Sequence, residues 1–183
     1  MSFSIRLATM ADVPVLREVI AESARGLRGD DYTGEQIEAA LLGAFGVDTE
    51  LIRDRTYFVV EQGAEVVACG GWSRRRTLFG GDAHAGRQSD LLDPAREAAR
   101  VRAFFVRPAW ARQGVGRLLL ARCEAEAYAA GFRSVELMAT LPGRRLYAVC
   151  GYQGDARVSH TAANGVSLDF VPMRKALERP GGE

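Results

Sequence analysis

Residues 4–8 alternate polar and apolar side chains, which predicts a strand. Thr9-Met10-Ala11-Asp12 follows as a Thr-x-x-Asp capping sequence, and Pro14 is tolerated in a first helical turn. Val13, Leu16, Val19 and Ile20 then recur at helical spacing until Gly26 and Gly29 break the pattern. A second helix is predicted over 34–44, with Ile37, Leu41 and Leu42 on its inner face, and a short helical piece over 49–53. Residues 56–61 and 65–72 are β-rich and flank the turn Gln62-Gly63-Ala64, so they predict an antiparallel hairpin. A strand over 101–106 stops at Arg107-Pro108. A long helix over 114–130 directs Val115, Leu118, Leu119, Cys123 and Ala127 to a core and ends at Gly131. A strand over 134–139 and a short helix over 142–150, closed by Gly151, come next. The last two strands, 152–160 and 167–174, are joined by Asn164-Gly165, the strongest short hairpin signal in the chain. The order of elements is that of an α/β fold with a mixed sheet.

Between the hairpin and the strand at 101–106 lies an irregular stretch, residues 77–100, with Gly80-Gly81-Asp82, Gly86 and Pro94. Loops of that length inside a compact domain are uncommon, so a functional or mobile loop is expected. The 183 residues suit one domain, drawn over 1–176, with 177–183 as a C-terminal tail; Met173 onward reads as frayed.

Composition narrows the function by exclusion. Twenty-four basic residues face 23 acidic ones, so no global basic field points to nucleic acid. Apolar runs are far short of a membrane span, and the N-terminus lacks the pattern of a signal peptide. A cytoplasmic location is expected. Cys69, Cys123 and Cys150 form no C-x-x-C pair, and only His84 and His160 accompany them, so no metal site is expected. Lys175 is the sole lysine; arginine supplies every other basic side chain.

The segment from Phe104 to Leu120 carries the chemistry. A strand ends at Pro108, a short loop follows, and Gly114-Val115-Gly116-Arg117 opens a helix. A helix start presents unpaired N–H groups and the positive end of the helix dipole. Glycines let that backbone close on a ligand oxygen, and Arg112 and Arg117 add guanidinium donors. This is an anion cradle suited to phosphate, and a pyrophosphate would use several donors together. A dinucleotide fingerprint fails for want of a third glycine, and a P-loop for want of Gly-Lys-Ser/Thr.

Residues 101–152 resemble the GNAT acetyltransferase superfamily. Its signature, Gln/Arg-x-x-Gly-x-Gly/Ala after a strand ending Val-x-Pro, is matched by Val106-Arg107-Pro108 and Ala111-Arg112-Gln113-Gly114-Val115-Gly116. A second landmark, a tyrosine on a short helix just before Gly-Phe or Gly-Tyr, is matched by Tyr147 to Gly151-Tyr152. Two positions depart from it: Ala111 replaces the usual Gln or Arg, and Thr140 stands where many members have Asn. The resemblance implies a mixed, mostly antiparallel sheet of about six to seven strands flanked by helices and splayed at the cofactor strand. It implies acetyl-CoA as donor, with no metal. The pyrophosphate would lie on Arg112, Gln113, Gly114, Val115, Gly116 and Arg117. The pantetheine would pair like a strand with Phe104, Phe105 and Val106. Thr140 would hydrogen-bond the cofactor through its hydroxyl. Tyr147 would donate the proton to the leaving thiolate.

The strand at 101–106 holds no carboxylate, so the general base stays open among Glu136, Asp82, Asp90, Asp93, His84, water or none. The reaction expected from the resemblance is direct transfer of an acetyl group to the amine of a small molecule. Alternatives are a non-catalytic CoA-binding sensor and an acetyltransferase of protein N-termini or lysines. Arg74, Arg75, Arg76, Arg87, Arg96 and Arg100 cluster near the long loop; if they line the acceptor pocket, the acceptor carries a carboxylate or phosphate. C-terminal strands of this fold often pair between subunits, so a homodimer is an expectation.

Overall fold

The computed structural model describes residues 2–179. Seven strands form one sheet in the order β1-β2-β3-β4-β5-β7-β6. Strand β1 (Ser4–Leu7) leads through a 3₁₀ turn to α1 (Val13–Gly26), then α2 (Gly34–Ala40) and α3 (Thr49–Arg53). The hairpin β2 (Tyr57–Gln62) and β3 (Glu65–Ser73) precedes β4 (Ala99–Val106), α4 (Val115–Ala129) and β5 (Ser134–Thr140). Helix α5 (Arg144–Val149), β6 (Val158–Thr161) and β7 (Ser167–Ala176) complete the chain. Every neighbouring pair is antiparallel except β4 with β5. The mixed α/β sheet flanked by helices is the one expected.

Period-2 patterning sends alternate side chains to two cores. Phe58 and Val60 join α4 residues Leu119, Leu120 and Cys123 on one face. Tyr57 and Val59 join α1 residues Leu16, Val19 and Ile20 on the other. Thr9 caps not α1 itself but the turn Met10–Asp12 before it. Its N–H and hydroxyl both donate to Asp12, which also receives two hydrogen bonds from Arg6.

Three expected boundaries move. Helix α2 stops at Ala40 and β4 starts at Ala99. The strand expected over 152–160 shrinks to β6, leaving an isolated bridge between Gln153 and Arg174. Gly154 explains this: its φ is +148° and a Cβ there would collide with the Pro172 carbonyl, so the chain bends where a strand would run on. Met173 is not frayed, because β7 continues to Ala176. Leu177 is buried with its N–H bonded to the Arg133 carbonyl. Residues 180–183 of the expected tail lie outside the described residues.

The feature that shapes the site is the separation of β4 from β5. They pair only at Ala99↔Val135 and Arg100↔Glu136. On the β3 side, Cys69 faces Phe105 while Gly71 faces Arg102, so β4 carries one extra residue. Ala103 occupies that bulge with φ +51°. A bulge bends its strand, and the rest of β4 departs from β5. Gly70 makes room for this bend: a Cβ there would lie 2.5 Å from Phe104 Cδ2. Gly70→Ala is expected to displace Phe104 and cost about 1–3 kcal/mol as an overpacked contact. Urea unfolding checks it, and an unchanged midpoint would show that Phe104 moves aside freely.

Candidate active site

Strand β4 beyond Arg100 has no ladder partner on its β5 side. Phe104, Phe105 and Val106 are half-buried there. Phe104 turns to the α4 core and Phe105 to the α1 core. The Val106 N–H donates to Ser23 Oγ of α1 at 3.2 Å. Ser23 is a residue that the sequence reading missed. Its signal was a small hydroxyl beside Val19, Ile20 and Ala24 on an otherwise apolar helix face.

The loop after β4 arrives at α4 by way of Pro108–Trp110. Arg112 (φ +62°) and Gly114 (φ +84°) both adopt left-handed backbone. Left-handed residues interleaved with right-handed ones turn successive N–H groups into a concave nest. The six N–H groups from Arg112 to Arg117 find no protein acceptor among the described residues; the first helical bond at this end is Leu118 N–H to the Gly114 carbonyl. Gln113 braces the loop by donating from Nε2 to the Ala109 carbonyl at 2.9 Å. Arg112 and Arg117 are exposed, with no carboxylate in ion-pair reach among the described residues. Val115 is buried and anchors the helix start. At Gly116 a Cβ would lie 2.9 Å from Leu146 Cδ2, so α5 sits directly against this loop. Leu146, and Arg144 and Arg145 before it, were not singled out by the sequence. Unpaired N–H groups, a helix dipole and two free guanidiniums can hold a multiply charged anion.

Tyr147 of α5 packs in the core that Phe104 of β4 joins. It is buried, edge-on to Phe104 (centroids 6.1 Å apart) and to Tyr152 (5.8 Å). Burial raises its pKa, so the phenol keeps its proton at neutral pH. Thr140 Oγ1 accepts the Gly143 N–H at 3.1 Å, so this hydroxyl braces the turn into α5 and retains its proton for a further partner. Tyr32, also unforeseen, ties the end of β5 to β7: its hydroxyl accepts the Leu141 N–H and donates to the Asp169 carbonyl. Burial pushes its pKa to about 12.

The candidates for a base are mostly committed elsewhere. Glu136 is ion-paired with Arg100. Asp93 accepts the Ala95 N–H, and Asp82 accepts the Thr49 N–H at 3.0 Å. Asp90 is exposed. His84 rests on Phe79 and faces His160, ring centroids 5.0 Å apart. Burial lowers its pKa, with His160 and Arg87 acting in the same direction. Cys69 and Cys123 are buried, which raises both thiols, that of Cys69 to about 12, so neither is a thiolate nucleophile.

The long loop is tied down. Thr77 and Gln88 exchange hydrogen bonds, and Arg75 bridges to Leu91. Its arginines do not converge on a pocket. Arg75 binds Asp54, Arg76 binds Glu97, and Arg87 binds Asp48 and Glu50. Arg74 lies over the Trp72 ring, and Arg96 stands 3.7 Å from Asp93.

Similarity to known proteins agrees with this geometry. No curated protein matches the chain. Among solved structures it is similar to a GCN5-related N-acetyltransferase from Rhodopseudomonas palustris (19% identity, 97% of each chain, TM-score 0.71). It is similar to YncA from Salmonella typhimurium with its cofactor acetyl-CoA (18%, 100% of this chain and 98% of that one, 0.62). A third is the ribosomal-protein-S18-alanine N-acetyltransferase from Escherichia coli (17%, 100% and 97%, 0.61). Identities this low speak for the fold. The profile of the Acetyltransferase (GNAT) family matches residues 18–152, which span the bulged strand, the glycine cradle and the helix of Tyr147, and the chain therefore belongs to the GNAT acetyltransferases.

Proposed function

We propose that the protein transfers an acetyl group from acetyl-CoA to the amine of a small-molecule acceptor. The observation that carries this reading is the run of six unpartnered N–H groups beside the unladdered half of β4. The residues present fit the donor: Arg112 through Arg117 would hold the pyrophosphate, and the unladdered edge at Phe104, Phe105 and Val106, where Ser23 now accepts the Val106 N–H, would take the pantetheine. When bound, acetyl-CoA supplies a thioester whose acyl group passes to nitrogen as the C–N bond forms and the C–S bond breaks. Tyr147 gives its phenolic proton to the departing sulfur, and the proton released by the amine returns through solvent. The phenol carries its proton at neutral pH, as this role requires. Thr140 keeps the turn before α5 in place and so positions Tyr147. We assign no side chain as base; the amine enters neutral. Three unpaired cysteines fit a reducing cytoplasm. Among the described residues no helix is long and apolar enough to cross a membrane.

Tyr147→Phe tests the mechanism. It is expected to lower kcat by about 10²-fold or more while acetyl-CoA binds with unchanged affinity. Unchanged turnover would remove the acid role. Wild-type protein that binds acetyl-CoA tightly yet acetylates no amine would be a CoA-responsive sensor. A preference for peptide N-termini over free amines would make it a protein acetyltransferase.

A further inference from the structure

Arg75, Arg76, Arg87 and Arg100 are spent on carboxylates and Arg74 lies over Trp72, so these side chains do not converge on an acceptor. A different pair is placed to do so. Between α1 and the segment 41–47 lies a cavity of about 330 Å³. That is at the small end of ligand pockets, large enough for an amino acid and too small for a folded peptide segment. Ile20, Leu41, Phe45 and Val47 supply its apolar lining. Arg17 and Arg25, one helical turn to either side of Ala21 on α1, supply its cationic wall.

The charges in this cavity are unequally committed. Arg25 donates through Nε and Nη2 to Glu38, which leaves Nη1 free. Arg17 has no carboxylate in ion-pair reach among the described residues, and its α1 neighbours Glu18 and Glu22 turn to Arg107 instead. The one carboxylate lining the cavity, Asp82, accepts the Thr49 N–H through Oδ1. Arg17 is thus the unpaired cation of the cavity among the described residues, and Asp82 its unpaired anion, held by the Thr49 N–H; the other walls are largely apolar.

Phe45 connects the cavity to the chemistry. It forms part of the lining, and its ring meets Phe105 of β4 edge-on, centroids 5.8 Å apart. A molecule resting on Phe45 is separated from the backbone of the strand proposed to bind the pantetheine by the Phe45 and Phe105 rings.

We propose that the acceptor is an amine of amino-acid size that carries a carboxylate on an apolar body. The inference rests on the acetyl-transfer reading. Arg17 takes the carboxylate with help from Arg25, and Ile20, Leu41, Phe45 and Val47 take the apolar part. The amine is left to reach past Phe45 to the gap between β4 and β5. A guanidinium at this site also disfavours polyamines, whose charge it repels.

The test uses matched pairs of ligands on the intact protein, saturated with CoA. L-Phenylalanine and L-leucine are titrated calorimetrically against phenethylamine and 3-methylbutylamine, which lack only the carboxylate. The amino acids are expected to bind about 10- to 100-fold more tightly, the effect of a charge-assisted hydrogen bond. R17Q is expected to erase that preference and leave acetyl-CoA affinity unchanged. Arg17 is exposed, so the variant keeps its fold. Equal affinity within each pair, no binding by any of the four, or a preference that survives in R17Q would each overturn the proposal. Acetyl-CoA binding is measured separately. If it is absent while the amino acids bind through Arg17, the transfer reading falls and the carboxylate site stands.

Discussion

Gly114→Glu is expected to abolish saturable binding of acetyl-CoA, a loss of at least about 100-fold, in a protein that still folds. Gly114 sits at φ +84°, directly before the first turn of α4. A Cβ built there meets nothing within 4 Å, so bulk alone does not disturb the fold. The left-handed backbone strains any L side chain by about 1–2 kcal/mol, a cost that Gly114→Ala shares. Charge separates the two variants. A glutamate at this point places a carboxylate among the N–H groups of residues 112–117. It competes for the donors that a pyrophosphate would use, and it repels the phosphates themselves. Losing two charge-assisted hydrogen bonds, at about 1.5–3 kcal/mol each, accounts for the expected factor. Calorimetric titration of wild type, Gly114→Ala and Gly114→Glu checks it. Wild-type affinity in the glutamate variant would show that the phosphates bind elsewhere.

Arg102→Met is expected to destabilise the protein by about 3–5 kcal/mol. Arg102 is buried on β4, three residues after Ala99. Its Nη2 lies 3.1 Å from both Asp48 Oδ2 and Glu50 Oε1, and its Nη1 donates to the Thr77 carbonyl. Arg87 reaches the same two carboxylates from the long loop, and Ser89 donates to Glu50. Methionine fills much of the volume but leaves the buried Asp48 with half its compensating charge. For a chain of this size the loss corresponds to a fall of roughly 10 °C in Tm. A Tm within 2 °C of wild type (about 1 kcal/mol or less) would mean that Arg87 alone satisfies the carboxylates. Arg102→Met/Asp48→Leu, which removes both charges, should recover part of the stability.

The same network shows why the tethering of the loop could not be read from the sequence. Residues 77–100 lack periodicity and are rich in glycine and charge, the local marks of a loose segment. Their order comes from partners far along the chain: Asp48 and Glu50 for Arg87, and Glu50 for Ser89. Ion pairs have no period and no local propensity, so nothing near Arg87 in sequence reports them. Glu136 was open as a base for the same reason, since only the parallel register of β4 and β5 puts Arg100 beside it.

Local chemistry determined what could be read directly. Backbone sterics and hydrophobic period placed the strands and helices, and Asn164-Gly165 placed the last hairpin. The Val-x-Pro stop, the glycines before α4 and Tyr147 before Gly151-Tyr152 were legible because each expresses a constraint on a few adjacent residues. Tertiary structure alone decided the rest. The Ala103 bulge that parts β4 from β5 depends on the space left by Gly70. The tethering of the loop depends on buried charges meeting across the fold. The cavity beside Arg17 depends on α1, Phe45 and Asp82 arriving together, and such meetings are set by packing between distant segments, to which no local pattern in the chain responds.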